Sequence, residues 1–370
     1  MPMKQFFAIL GVGLASAGLG QEDGIYVCDA GNFQAPPWRI LRYGLDGQSP
    51  VDFITDSLNW PQDILFLEDS NAVLISNLGS GSIDRYDATT GAYHSVFAAG
   101  IAGPTRMRIG PDGSLYVLQW SGNGRVRRYA LDGDYLGEFT TVGVPQSIGL
   151  EWDADGHLYV SSYSQDLVRH FDEQGNDLGV FINSGLVGPT NIWADSDSTF
   201  LVADYDGGAV KRFAADGSSL GVFISGLGQT EGYAYFPDGS LLLGNGNSHS
   251  VKRFAPDGSY LEDLIASGSG GLLNPNAIVV RGTPFVGQLE NPAAAPLLLV
   301  TPTSGTRFTV ILDRAGELEG IRVLTVEGSV ITSLKGFDWD AGSIARGPYM
   351  IEARWRDGST ATRRVVVAGR

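Results

Sequence analysis

Short apolar runs recur along this chain at a nearly fixed interval. They begin at Ile25, Val73, Leu115, Leu158, Phe200 and Leu241, at spacings of 48, 42, 43, 42 and 41 residues. Each run is followed by a polar loop, a strand ending in Arg-aromatic, an Asp-Gly-type turn, a second short alternating stretch, and a Pro-x-x segment that opens the next apolar strand. The stretch from Leu115 (LYVLQWSGNGRVRRYALDGDYLGEF) lines up with the one from Phe200 (FLVADYDGGAVKRFAADGSSLGVF) element by element. Runs of four to seven residues bounded by Gly, Asp and Pro predict strands, not helices.

A period of 40–45 residues holding four short strands predicts a β-propeller. Innermost strands are expected at Pro61-Gln62-Asp63-Ile64, Pro104-Thr105-Arg106-Met107, Pro145-Gln146-Ser147-Ile148, Pro189-Thr190-Asn191-Ile192, Gln229-Thr230-Glu231-Gly232 and Pro275-Asn276-Ala277-Ile278. The last has no partner strands after it, while Ile25 to Ile54 lack an inner strand. A ring of six blades, closed by one C-terminal strand joining three N-terminal ones, resolves both and removes exposed sheet edges. The once-per-blade Arg-aromatic motif (Arg42, Arg85, Arg128, Arg169-His170, Arg212 and Arg253, each followed by Tyr or Phe) is expected to pack blades together and to bond between them. The Asp-Gly pairs at 46, 112, 132, 155, 216, 238 and 257 are expected in hairpins, where glycine supplies positive φ.

After Gly282 the period breaks. The stretch 284–296, with Glu290 to Pro296 rich in Pro and Ala, reads as a linker. Six alternating strands between Leu297 and Val367 then predict a small immunoglobulin-like β-sandwich over 297–370, with turns at Glu327-Gly328 and Asp357-Gly358. The overall expectation is all-β, with the propeller over 21–283. At the other end Lys4, the apolar Phe6 to Leu14 and Ala15-Ser16-Ala17 match a secretory signal over residues 1–20. A secreted, extracellular or surface-bound protein is expected, with no membrane span in the mature chain.

Composition narrows the partners. Net charge is −16 at pI ≈ 4.6, which excludes nucleic acid as a target because phosphates require a basic footprint. The single cysteine, Cys28, sits in an apolar strand and reads as a buried, inert thiol. A monomer is expected.

Candidate chemistry lies where the blades differ. In the third residue of each Pro-x-x segment, Asp63, Arg106, Ser147, Asn191, Glu231 and Ala277 differ in every blade while their flanks repeat. These residues are expected to face the mouth of the central channel, the default ligand site. Trp60, Trp120, Tyr163 and Tyr205 belong to loops on the same face, where aromatic rings beside polar groups suit a sugar or a peptide. Asp29, Asn77, Asp204 and Asn245, ending second strands, are candidates for outer ligand contacts or for loop caps. Four histidines (His94, His157, His170, His249), none at a channel position, disfavour a zinc site. No Gly-x-Ser-x-Gly elbow supports a serine nucleophile.

The Pro-x-x-Ile, Asp-Gly-x-Leu-Tyr-Val and Arg-aromatic elements resemble the NHL-repeat six-bladed propellers from Ile25 to about Gly282, folds that serve lyases, lactonases and binding modules. Asp63, Asn191 and Glu231 are similar in order to the acid–amide–acid set of gluconolactonases. That resemblance implies a Ca²⁺ or Mg²⁺ ion held by the three, with Glu231 as general base in lactone hydrolysis. Here Asp replaces the first Glu, Glu replaces the last Asp, and Arg106 is expected across the channel from Glu231. Pro302-Thr303-Ser304-Gly305, Val326-Glu327-Gly328, Gly347-x-Tyr349 and Arg363–Val367 resemble the C-terminal sorting module of type IX secretion, implying a secretion machinery as partner. Binding of an extracellular small molecule, glycan or protein through Arg106, Ser147, Trp60, Trp120, Tyr163, Asp204, Tyr205 and Asn245 is the favoured function. Metal-dependent lactone hydrolysis is the alternative.

Overall fold

A computed structural model describes residues 23–281 and 298–367, apart from 154, 196–198, 237, 302–303, 313–317, 326–328 and 357–359. The secretory signal, the linker and the turns at 327–328 and 357–358 lie outside the described residues. Six antiparallel four-stranded sheets form the blades. Blade one is Pro61–Leu67, Ala72–Asn77, Ser82–Asp87 and Tyr93–Ala99; blade two is Pro104–Ile109, Leu115–Gln119, Arg127–Tyr129 and Tyr135–Glu138. Blade three is Ser147–Trp152, Leu158–Ser162, Leu167–Phe171 and Asp177–Ile182; blade four is Pro189–Ala194, Phe200–Asp204, Ala209–Phe213 and Ser219–Ser225. Blade five is Thr230–Tyr235, Leu241–Asn245, Ser250–Phe254 and Tyr260–Ile265. Blade six joins the late strand Pro275–Arg281 to Gly24–Asp29, Arg39–Tyr43 and Val51–Ile54, with Ile25 opposite Val280 and Val27 opposite Ile278. Each inner strand lies against the next, and Pro275–Arg281 lies against Pro61–Leu67, so the ring is closed.

The apolar runs that carry the repeat are the second strands, and they are buried on both faces between neighbouring blades. The core is accordingly six wedges. Tyr129 closes the wedge between blades one and two with Leu74, Phe97 and Met107; Phe171, Phe213, Phe254, Tyr43 and Tyr86 do the same in the other five. Fourth strands send only their last residues, such as Phe97, Ile224 and Ile265, into the wedges; earlier along them Leu220 and Val222 are exposed.

The arginine beside each aromatic behaves differently from expectation. Arg128 pairs with Asp112, Arg212 with Asp195 and Arg253 with Asp238, all inside their own blade. Arg85 does bridge blades, donating to the Leu131 carbonyl at 3.0 Å. The aromatic supplies the packing between blades, and the arginine mainly braces the turn between first and second strands. Such half-exposed pairs contribute little stability.

The C-terminal module is a sandwich of a three-stranded sheet (Leu298–Thr301, Arg307–Leu312, Asp338–Asp340) and a five-stranded one (Ser304–Gly305, Leu318–Thr325, Val330–Leu334, Gly347–Trp355, Thr360–Val367). Phe308, Val310 and Trp339 from the first meet Val323, Ile351, Trp355 and Val365 from the second in one core. The short strands Ser304–Gly305 and Asp338–Asp340 escape the alternation pattern. The first adds in parallel to Thr360–Val367, a pairing that three-dimensional closure sets and local sequence does not.

Candidate binding site at the channel mouth

Backbone pairing fixes how each blade presents residues to the channel. The residue before each inner strand in blades one to five (Trp60, Gly103, Gln146, Gly188, Gln229) has positive φ. Its carbonyl accepts a hydrogen bond from the first residue past the second strand: Leu78, Trp120, Tyr163, Tyr205 and Gly246. Inner strands therefore start at Pro61, Pro104, Ser147, Pro189, Thr230 and Pro275, opposite Asn77, Gln119, Ser162, Asp204, Asn245 and Asp29. The third positions are Asp63, Arg106, Gly149, Asn191, Gly232 and Ala277.

This corrects two expectations. Ser147 is a first-position residue and Glu231 a second-position one, because Pro145 and Gln229 precede the strands they seem to open. Ser147 is fully buried; its hydroxyl donates to the Gln119 carbonyl at 3.1 Å and its own carbonyl accepts from Thr105 Oγ1 at 2.7 Å, so it ties blade two to blade three. At Gly149 a methyl group would come within 2.3 Å of the Thr190 carbonyl oxygen, so the strand of blade four closes that position to side chains.

Arg106 fills the middle of the ring. From blade two its Nε donates to Asn191 Oδ1 at 3.2 Å and its Nη2 to Glu231 Oε1 at 2.9 Å, on blades four and five. The same guanidinium donates to the Gln62 and Asn276 carbonyls of blades one and six. Asn191 in turn donates to the Glu231 carbonyl. Asp63 accepts from the backbone of Ile64 at 3.0 Å and Met107 at 2.8 Å. Burial pushes the carboxyls of Asp63 and Glu231 upward, and the Arg106 charge opposes that rise. Burial likewise pushes the nearby Cys28 thiol well up, which leaves it inert.

The three candidate metal ligands were Asp63, Asn191 and Glu231. Two of them already face a guanidinium, and a divalent ion beside it would bring like charges together. The residues present do not fit a resident Ca²⁺ or Mg²⁺. Among the described residues no group of three or more His, Cys, Asp or Glu side chains is placed to hold a metal.

The residues ending the second strands brace loops. Asn77, Gln119, Asp204 and Asn245 each accept a hydrogen bond from a backbone N–H just before the inner strand, at Asn59, Ala102, Val187 and Gly228. Asp29 does so at Leu273 and Asn274. In blade three the corresponding residue is Pro145, which has no N–H. The partner there is Ser162, which donates to the Pro145 carbonyl at 2.6 Å instead. Asp204, which also pairs with Lys211, and Asn245 are thus buried and engaged in bracing their loops.

Aromatic rings gather on the loops that follow the second strands. Trp120 and Tyr163 have centroids 5.7 Å apart at 42°, and Tyr163 and Tyr205 are 6.0 Å apart at 76°. All three are half-buried, on blades two, three and four. The Tyr163 hydroxyl donates to Asp206 at 2.8 Å, and burial together with that bond pushes its pKa up to about 12. Burial and the charge of Glu231 also raise Tyr205. Asp166, exposed beside them, accepts from the Gly188 N–H at 2.7 Å. On blades six and one, Phe33 meets Trp60 edge to face at 6.1 Å. Phe33 stands in the segment between Asp29 and Arg39, longer than the turns at that place in the other blades. Trp60 Nε1, Thr230 Oγ1 and Asn276 Oδ1 are buried polar atoms without a protein partner. Phe33, Asp166, Asp206 and the Gln62 and Asn276 carbonyls were missed from sequence. The extra length of the segment after Asp29 was the signal that pointed to Phe33 and went unread; backbone carbonyls leave no signal.

No protein family matches the chain, and no curated protein matches it. Its fold is similar to a chain of the nidogen/laminin complex, at 14% identity and TM-score 0.58 over 70% of this chain and 97% of that one. It is also similar to a protein of unknown function from Bacteroides caccae, at 15% identity and TM-score 0.52 over 70% and 98%. A putative gluconolactonase matches at 18% identity and TM-score 0.49 over 56% and 79%. At such identities the likeness concerns fold alone.

Proposed function

We propose that this is a secreted or surface-displayed propeller that binds an extracellular ligand at its channel mouth without catalysing a reaction on it. The carrying observation is Arg106: one guanidinium joins four other blades and stands among the groups a catalytic metal would need. What remains open to a ligand is the aromatic surface of Trp60, Trp120, Tyr163 and Tyr205. The signal-like N-terminus supports export, and the C-terminal sandwich is read as the sorting module. Titration calorimetry of Ca²⁺ and Mg²⁺ into the full chain should give no heat. Glycan and peptide arrays should give hits that Trp120→Ala and Tyr205→Ala remove. Micromolar Ca²⁺ binding abolished by Asp63→Ala would sink this reading and restore the hydrolase.

A further inference from the structure

We propose that the mouth recognises an organic cation, the guanidinium or ammonium of a basic side chain carried by an extended peptide; this rests on the binding reading above. Three observations converge. The rings of Trp120, Tyr163 and Tyr205 are inclined at 42° and 76°, so they make walls, whereas a sugar ring needs one flat platform. Ring faces are electron-rich and attract cations, best when several converge. Carboxylates stand among them: Asp206 on the Tyr163 hydroxyl and Asp166 on the Gly188 amide are both exposed, with Glu231 beneath.

The positive charges around the mouth do not counter this field: Arg106 is buried, engaged with four blades and balanced by Glu231 and Asp63, and Lys211 pairs with Asp204. An anionic ligand would therefore meet Asp166 and Asp206 first. The chain's net charge of −16 draws cations toward the molecule at long range. A peptide is favoured over a free small cation by the second aromatic pair. Phe33 and Trp60 belong to blades six and one, which in a six-membered ring face blades three and four, the blades of Tyr163 and Tyr205. An occupant touching both sides must reach across the mouth.

The test uses the full chain and its tryptophan fluorescence, confirmed by calorimetry, at low and high salt. Four probes are compared: a Gly-Ser peptide carrying one central Arg, its citrulline counterpart, N-acetyl-arginine amide, and maltohexaose. The Arg peptide should bind, weaken with salt, and exceed the citrulline peptide by roughly tenfold. Asp206→Asn and Asp166→Asn should each weaken it several-fold. Asp166→Asn keeps the Oδ1 that accepts from Gly188, so it serves even if Asp206→Asn disturbs the Tyr163 contact and lowers the melting temperature. Equal binding of N-acetyl-arginine amide would keep the cation and overturn the peptide as its source. Equal binding of the citrulline peptide, or maltohexaose binding lost in Trp120→Ala, would overturn the cation while leaving the binding reading intact. No binding by any probe overturns the proposal, and a positive Ca²⁺ titration separately overturns the reading beneath it.

Discussion

At the residue scale the molecule turns on Arg106. The sequence marks the position as one that varies between blades, and it suggests a pair with Glu231. It cannot show that one side chain reaches the carbonyls of blades one and six as well, because that reach depends on how closely six inner strands converge. The same limit explains the slip at Ser147 and Glu231. Pro145 and Gln229 look like strand openers, and only the pairing of Ser147 with Ser162 and of Thr230 with Asn245 reveals the true register. Removing the plug should leave Glu231 without a counter-charge and Asp63 with Arg108 as its remaining positive neighbour. Arg106→Met is expected to cost about 3–5 kcal/mol at neutral pH. The loss should depend on pH. Burial already raises Asp63 and Glu231, so their folded pKa lies above the unfolded values of about 4. A raised carboxylate favours the folded state below the unfolded pKa, and that contribution fades as pH rises through the folded value. Without Arg106 both pKa values climb further, so the deficit against wild type should be smallest near pH 4.5 and grow toward pH 7.5. Urea midpoints at both pH values check this, and Arg106→Met/Glu231→Gln should recover part of the loss at pH 7.5. A deficit of equal size at both pH values would refute the charge argument.

At the element scale the strands were legible because each blade repeats the same short code, and the hairpin turns were legible because Asp-Gly states its own geometry. Neighbour contacts were not. The glycine of the outer hairpin of blade three, Gly175, has φ +82°, and a methyl group there would meet the Phe139 carbonyl of blade two at 2.0 Å. Gly47 stands in the same relation to Leu264, across the junction of blades six and five. Turn chemistry explains the positive φ, but the close approach is a property of the ring. Two substitutions separate these causes. Gly179 also has positive φ, +102°, yet has open space around it. Gly179→Ala is expected to cost about 1–2 kcal/mol from backbone strain alone. Gly175→Ala should cost clearly more, since blades two and three must also move apart. Equal losses in chemical denaturation would show that the contact between blades contributes nothing.

At the scale of the whole molecule, closure was readable by counting: six inner strands for five complete sets of partners leaves one strand to return to the start. What holds the returning strand was not readable. Arg281, at its end, donates to both oxygens of Glu68 at 3.1 and 2.8 Å and to the Ala88 carbonyl at 3.1 Å, on blade one. Its guanidinium also lies 3.7 Å from the Phe66 ring centroid and 5.6 Å from that of Tyr26. Glu68 is half exposed, but the Arg281 side chain is almost wholly buried, more so than the arginines of the Arg-aromatic motif. A lysine lacks both the planar fork and the stacking face. Arg281→Lys should therefore lower stability by about 1–3 kcal/mol, within the range for hydrogen bonds to charged groups. The loss should be localised. Because Pro275–Arg281 pairs with Gly24–Asp29 along its length, hydrogen exchange should accelerate in both strands together, although nearly the whole sequence of the ring lies between them. Faster exchange in Pro275–Arg281 with Gly24–Asp29 still protected would mean that the first strand is held by Arg39–Tyr43 alone. The last strand would then decorate a ring already closed without it.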